Sequence, residues 1–183
     1  MHTSRRPATT RTPTAAGRDI RYGLFTTALG PMLVAGTARG VCHVAFGDHR
    51  DQLVLELQNA FASATVQHDD AAVAAWASSI SAQLEGAVPI IDLPVDVSGT
   101  PFQQRVWTAL RRIPFGEVRS YQELASAIGQ PPAARAVASA CASNRVAVVI
   151  PCHRVIRGTG APGGYRWGIE RKRWLINSER GIA

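Results

Sequence analysis

Hydrophobic positions fall into two regimes along the chain. From Ile20 the pattern is short and extended. Ile20–Phe25, Met32–Ala35 and Val41–Phe46 have the length and side chains of strands, with Gly30-Pro31 marking the first turn and Arg39-Gly40 the second. The period then lengthens to that of a helix. Leu53, Leu57 and Phe61 recur at every fourth residue with Val54 beside them, and Asp48 is placed to cap that helix. Val73, Trp76, Ala77, Ile80 and Leu84 share one face of a second helix over about 71–84. Ile90–Val97 reads as an edge strand or extended connector, broken at Pro94.

Boundary signals sharpen in the second half. Thr100-Pro101-Phe102-Gln103 joins an N-cap, a proline at the first helical position and the glutamine of a capping box. Phe102, Val106 and Leu110, with Trp107, form the stripe this helix should bury, and Ile113-Pro114-Phe115-Gly116 ends it. Ser120–Ile128 predicts a short helix closed by Gly129, Gln130-Pro131-Pro132 a turn, and Ala133–Ala142 a further helix, together a helix-turn-helix by pattern. The β-branched run Val146–Ile150 predicts a buried strand. Pro151, which has no N–H for a ladder, should end it and present Cys152 just beyond. A last helix covers 171–179, with Trp174, Leu175 and Ile176 apolar.

Composition narrows the class. A chain of 183 residues with 46% apolar content supports one good-sized core, or two small subdomains sharing one. No run approaches the roughly 18 apolar residues of a membrane span, and the N-terminus lacks the apolar region of a signal peptide, so a cytoplasmic protein is expected. Residues 1–18, rich in Thr, Pro, Ala and Arg, read as a disordered basic arm ahead of units at 19–98 and 99–183. Cys42, Cys141 and Cys152 suggest neither a disulfide framework nor a paired metal site, and Cys42, His43, His49 and His68 match no ligand spacing, so no metal is expected. Charge is unevenly placed. Four arginines give residues 1–18 a charge of +4, nine acids against three bases leave 19–99 at −6, and thirteen bases against four acids bring 100–183 to +9. A polyanion should therefore meet the C-terminal half.

Two features carry candidate chemistry. Cys152 has an imidazole at His153 and guanidinium groups at Arg154 and Arg157 for neighbours, and positive neighbours favour the nucleophilic thiolate. The same residue also reads as one more buried small hydrophobe. The helix over 133–142 is walled by Ala133, Ala134, Ala136, Ala138 and Ala140, with Arg135 its only charge. Small residues permit close approach, whereas reading base edges in the major groove takes long polar side chains.

Pro151-Cys152-His153-Arg154-Val155 after an apolar run resembles the acceptor motif of the O6-alkylguanine-DNA alkyltransferases. The resemblance runs from about Ile20 to Glu179, is densest from Gly99, and is strongest to the alkyltransferase half of the bacterial adaptive-response members. It implies an α/β protein: a small, ribonuclease H-like N-terminal α/β subdomain, then a mainly helical domain with a DNA-binding helix-turn-helix. The implied activity is a single, stoichiometric transfer of an alkyl group from O6-alkylguanine, and from O4-alkylthymine, to Cys152, with no cofactor. The implied partner is double-stranded DNA, entered through the minor groove with little sequence specificity by a monomer that can assemble cooperatively. Nothing in residues 1–18 resembles the zinc-bearing domain that precedes this unit in adaptive-response members, so an inducible-regulator role is not expected of this chain alone.

Site residues follow from the same resemblance. His153 and Glu179 match a relay in which Glu orients His and His takes the thiol proton through water. Asn144 matches the residue joining the DNA-binding helix to the active-site turn, although Asn also ends helices in its own right. Tyr121 matches a tyrosine that meets a phosphate and donates to the purine ring, and Gln122, Ala133 and Ala134 lie on the implied DNA face. Arg135 matches the arginine that fills the gap left by the flipped nucleotide; a plain phosphate contact is its alternative. Val155, Tyr165, Arg166 and Trp167 should wall the base pocket, with Trp167 narrowing its mouth against benzyl-sized adducts. Three rivals remain: a lesion sensor, which would lack the acceptor cysteine; a helix-turn-helix regulator, which would need base-reading side chains; and a Cys-His hydrolase, which would need an oxyanion hole.

Overall fold

A computed structural model describes residues 18–88 and 91–181. The first three strands form a meander: β1 (Asp19–Thr27), β2 (Gly30–Thr37) and β3 (Gly40–Phe46), each antiparallel to the next. Both turns sit slightly earlier than the Gly-containing pairs suggest. Gly30 already pairs with Thr27 and Pro31 with Thr26, so the first turn is Ala28-Leu29; Pro31 is tolerated within β2, where its carbonyl accepts from the Gly47 N–H at 3.1 Å.

Helix α1 (Arg50–Ala60) buries Leu53 and Leu57. Asp48 does not cap it: His49 takes the N-cap position without a side-chain bond, and the Asp48 carboxylate lies 2.6 Å from Arg171. The chain returns as β4 (Thr65–His68), parallel to β1, which gives the sheet order β3-β2-β1-β4. Helix α2 (Asp70–Leu84), capped by the Asp69 side chain, then lies across the sheet on Val73, Ala77, Ile80 and Leu84. Its Trp76 rests on Gly36, where a Cβ would stand 2.2 Å from the indole ring, so this strand position has to be glycine.

A connector follows, of which residues 89–90 lie outside the described residues, as do 1–17 with the predicted arm. It forms no full strand. Val95 alone bridges to Val41, with Val41 N–H donating to Pro94 O and Asp96 N–H to Val41 O.

Helix α3 (Pro101–Leu110) begins with the predicted capping box, and Trp107 is core, its indole N–H donating to Ala140 O at 2.9 Å. A second box, Ser120 with Glu123, opens α4 (Tyr121–Ala127). Gly129, at φ +73°, turns the chain through a short 3-10 segment at Pro131–Ala133 into α5 (Ala134–Ala142). A two-residue ladder joins β5 (Arg119–Ser120) to β6 (Val155–Ile156) in parallel, and α6 (Ile169–Glu179) ends the chain's regular structure.

Val146–Ile150 departs from the sequence reading. All five residues are buried, but they coil into a turn: Ile150 N–H donates to Val146 O, Val149 N–H to Ala147 O, and Val148 is left-handed at φ +67°. Only Val146 joins the sheet, through Val44 N–H to Arg145 O and Ala147 N–H to Val44 O along the free edge of β3. The buried side chains from Ile20 to Leu175 thereby form one contiguous core.

Candidate active site

Asn144 organises the buried turn. Its Oδ1 accepts from Val146 N–H at 2.9 Å, and its Nδ2 donates to Ile150 O at 2.8 Å while lying 3.2 Å from Cys152 Sγ. One side chain, directly after α5, thus closes the turn and holds the thiol. A left-handed β-branched residue such as Val148 persists only where its surroundings fix the backbone, and these bonds do so. Pro151 then starts a tight turn over Cys152–Arg154, with Cys152 N–H on Ile150 O and Arg154 N–H on Pro151 O.

The turn leaves Cys152 to Asn144 and brings the next two side chains to one carboxylate. His153, fully buried, places Nε2 2.8 Å from Glu179 Oε1. Arg154 forks onto the same carboxylate, Nε to Oε2 at 2.8 Å and Nη2 to Oε1 at 2.9 Å, while its Nη1 donates to Ile113 O and its plane lies over the Phe115 ring. Burial would raise the Glu179 carboxyl, but the hydrogen bonds from His153 and Arg154 outweigh it and bring the pKa down to about 2. Burial lowers the His153 pKa, and the bond to Glu179 opposes it without prevailing. A neutral imidazole facing an ionised carboxylate must carry its proton on Nε2. The Nδ1 lone pair, which meets no hydrogen-bond donor among the described residues, is left to accept one.

Cys152 is less acidic than its neighbours in sequence suggest. Burial pushes the thiol up, with the Asn144 amide, Lys172 and Arg166 acting against it. Arg154 does not serve the thiol, because its fork is taken by Glu179, and Arg157 is exposed beside Tyr121.

Cys152 opens into a cavity of about 350 Å³, lined also by Tyr121 at the start of α4, Ala138, Cys141 and Ala142 of α5, and Gly164, Tyr165 and Arg166. That volume falls within the range of small-molecule sites, about 300–1,000 Å³. Tyr165 stands edge-on to His153, and its buried Oη has no hydrogen-bond partner among the described residues. Tyr121 is half-buried, and burial raises its phenol.

Two predicted pocket residues are elsewhere. Trp167 is buried behind Tyr165, with ring centres 5.1 Å apart, and faces a separate groove with Ala28, Leu29 and Trp174, so it does not narrow the cavity mouth. Val155 lies in β6, and its carbonyl is taken by Lys172 Nζ at 2.6 Å. On the predicted DNA face, Arg135 is exposed at the start of α5 and Ala133 and Ala134 are half-buried. Gln122 is exposed, but its amide is tied to Pro131 O at 2.7 Å. The histidines and cysteine weighed for zinc are dispersed, and among the described residues no three His, Cys, Asp or Glu gather around a possible ion.

Lys172 escapes the sequence reading. It is fully buried, and Nζ bridges Val155 O and Gly164 O, tying the acceptor strand to the cavity wall. A signal exists: Lys172, Leu175 and Glu179 lie at i, i+3 and i+7, one inward stripe of α6. The sequence likewise leaves unassigned the places of Arg154, as clamp of Glu179, and of Cys141, as a second thiol on the cavity wall.

Residues 101–181 match the family model described as 6-O-methylguanine DNA methyltransferase, DNA binding domain. Over 160 residues the chain is 48% identical to the bifunctional transcriptional activator/DNA repair enzyme Ada of Escherichia coli, covering 87% of this chain and 45% of that protein. It is 46% identical over 115 residues to a methylated-DNA–protein-cysteine methyltransferase of Mycobacterium tuberculosis, covering 63% of this chain and 70% of the relative. The crystal structure of Mycobacterium tuberculosis OGT in complex with DNA superposes with a TM-score of 0.74 at 34% identity, over 89% of this chain and 94% of that one. The chain spans less than half the length of the Ada proteins it matches. No helix among the described residues is long and apolar enough to cross a membrane.

Proposed function

The chain belongs to the methylated-DNA–protein-cysteine methyltransferase family, and from that premise we propose that it repairs DNA by moving the alkyl group of O6-alkylguanine onto its own Cys152. One observation carries the reading: a thiol held by Asn144 faces a base-sized cavity, next to an imidazole that a buried carboxylate keeps oriented.

The Cys152 S–H proton leaves through water to the free Nδ1 of His153, whose Nε2–H stays on Glu179. A sulfur–carbon bond forms as the carbon–O6 bond breaks, and guanine departs with the electron pair and regains a proton. Hydrogen bonding from Tyr121 to the purine makes it a better leaving group. No group in the cavity is suited to cleave a thioether, so each molecule acts once, and no cofactor enters. O4-alkylthymine presents the same carbon–oxygen bond and is a second substrate.

A stacked base keeps its O6 out of reach, so the nucleotide has to be extruded, at a cost on the order of a few kcal/mol. The partly exposed alanines of α5 suit close approach along the minor groove with little sequence preference, and Arg135, unpaired among the described residues at the start of that helix, fills the vacated stack. The α4–turn–α5 pair supports the helix-turn-helix reading, and the order β3-β2-β1-β4 with a parallel fourth strand supports a ribonuclease H-like subdomain over 19–98, sharing its core with the unit over 99–183. We further read the protein as a cytoplasmic monomer that can assemble cooperatively on DNA; its free cysteines suit a reducing compartment.

Intact mass after incubation with a duplex carrying O6-methylguanine tests the reaction. The expected product has gained one methyl group, mapped to Cys152 and absent from Cys152→Ala. Tight binding of the lesion with no mass change would reject methyl transfer in favour of lesion sensing.

A further inference from the structure

Most guanidinium groups of this basic chain are neutralised or engaged internally. Arg39 pairs with Asp96, Arg119 with Glu117, Arg154 with Glu179, Arg171 with Asp48 and Arg173 with Glu170. Arg157 and Arg166 are different. Both are exposed, and neither has a hydrogen bond, ion pair or ring contact from its side chain among the described residues.

Arg166 lines the acceptor cavity, and Arg157 stands beside Tyr121, one of its lining residues. The parallel register Ser120↔Ile156 places Arg157 beside Tyr121, which lines one wall. The backbone of Arg157 is pinned, its N–H on Ala161 O at 2.8 Å and its carbonyl accepting from Gly160 N–H at 2.9 Å, so the side chain leaves from a fixed base. Arg166 lines the wall formed by Gly164 and Tyr165, a segment Lys172 ties down through Gly164 O. Their charges reach inside: Arg157 opposes the burial-driven rise of the Tyr121 phenol, and Arg166 that of the Cys152 thiol. The neighbouring carboxylates offer no neutralisation, since Glu179 is held by Arg154 and Glu170 by Arg173.

Two guanidinium groups without partners among the described residues, one on the wall of a base-sized cavity and one beside its Tyr121, match what surrounds any extruded nucleotide, one phosphodiester on each side. Guanidinium binds such oxygens through a planar fork of donors. We propose that Arg157 and Arg166 clamp the two phosphates flanking the flipped nucleotide, a contact separate from the α5 face and Arg135. The clamp rests on the reading of this chain as a DNA alkyl acceptor. It fixes the backbone while the base turns inward, and it is blind to sequence.

The test is the salt dependence of binding to a duplex with one O6-methylguanine, measured in a Cys152→Ala background so that no transfer occurs. Freeing one bound phosphate reduces the slope of log K against log salt by about 0.9. Arg157→Gln and Arg166→Gln should each lower it by about that amount, and the double variant by about 1.8. Arg157→Lys and Arg166→Lys should keep the slope, because the charge remains. Arg112→Gln, which removes an equally unpaired arginine away from this cavity, should leave it unchanged. Slopes of the Arg157 and Arg166 variants equal to that of Arg112→Gln would overturn the clamp. A lower transfer rate at saturating DNA for Arg166→Gln with Cys152 intact, alongside an unchanged slope, would overturn it too, by placing Arg166 on the base. Methyl transfer by the native chain is run alongside: if it succeeds while the slopes do not move, the clamp alone falls; if it fails, the clamp falls with its premise.

Discussion

His43 offers a quantitative test of how this fold handles a buried ionisable group. It sits in β3 opposite Ala35, 5% exposed, edge-on to Phe61, and neither ring nitrogen has a hydrogen-bond partner among the described residues. Burial, with Arg145 and Arg166 adding to it, lowers its pKa from 6.5 to about 4. The unfolded chain binds a proton at 6.5 that the fold refuses until about 4, so the stabilising share of this residue is complete above 6.5 and is lost as the pH falls toward 4. Between about pH 7.5 and about pH 4.5 that loss comes to about 2.5 kcal/mol, at about 1.36 kcal/mol for each full unit. His43→Leu removes the titration and two unpaired buried nitrogens, and it should at least match the native chain at neutral pH. Urea denaturation of both proteins at the two pH values gives the double difference, in which the acid sensitivity of every other group cancels. The variant's advantage should widen by about 2.5 kcal/mol on acidification. An unchanged advantage would mean that the folded chain takes up this proton as readily as the unfolded one, and would refute the argument.

The other predictions concern the active site itself. Asn144→Ala leaves Val146 N–H buried without a partner, at about 1–3 kcal/mol, and leaves Ile150 O with Cys152 N–H alone, and should lower the single-turnover transfer rate further than its shifted denaturation midpoint explains. Glu179→Gln strands the Arg154 charge and should cost about 3–5 kcal/mol at neutral pH. The native carboxyl, at about 2 against an ordinary 4.5, contributes stability above 4.5 that is lost as the pH falls toward 2, so the native and Glu179→Gln chains should converge in that window when denaturation is followed against pH. Lys172→Met should leave the fold intact yet slow transfer, since Val155 O and Gly164 O lose the group that joins them; hydrogen exchange over 155–168 would report the loosening, and unchanged exchange would refute it. Because Trp167 lies behind Tyr165, discrimination between methyl and benzyl adducts should respond to Arg166→Gly and not to Trp167→Phe in paired transfer-rate measurements.

The legible parts of the sequence are those whose signal is local. Short extended runs set β1 to β3, helical periodicity sets the faces of α2 and α3, and the Thr100 capping box fixes the start of α3 to the residue. A motif points to Cys152 and His153 and the family resemblance to Glu179, and the geometry joins His153 to Glu179. Side-chain bonding between distant segments stays out of reach. Val146–Ile150 has strand composition because it is buried, and burial demands β-branched apolar residues whether the backbone extends or coils. The Asn144 side chain decides between the two. Arg154 lies two residues from the thiol in sequence, but its fork is taken by Glu179, a residue 25 positions further on. Trp167 escapes the pocket for a related reason, since a residue two places from a cavity-lining tyrosine can pack behind it and face another groove.

The backbone bonds between Val44 and the segment Arg145–Ala147 set the order in which the protein can assemble. They close a loop of roughly a hundred residues, which costs about 4 kcal/mol of chain entropy before any contact is made. That cost is met once β1 to β3 exist as a template, and those strands leave the ribosome first. The thiol-bearing turn is therefore among the last pieces to lock, after the sheet that anchors it. Until then Cys152 has neither its amide partner nor its cavity. On the proposed reading of Cys152 as an alkyl acceptor, the thiol is placed for transfer only when the cavity that receives the base is complete.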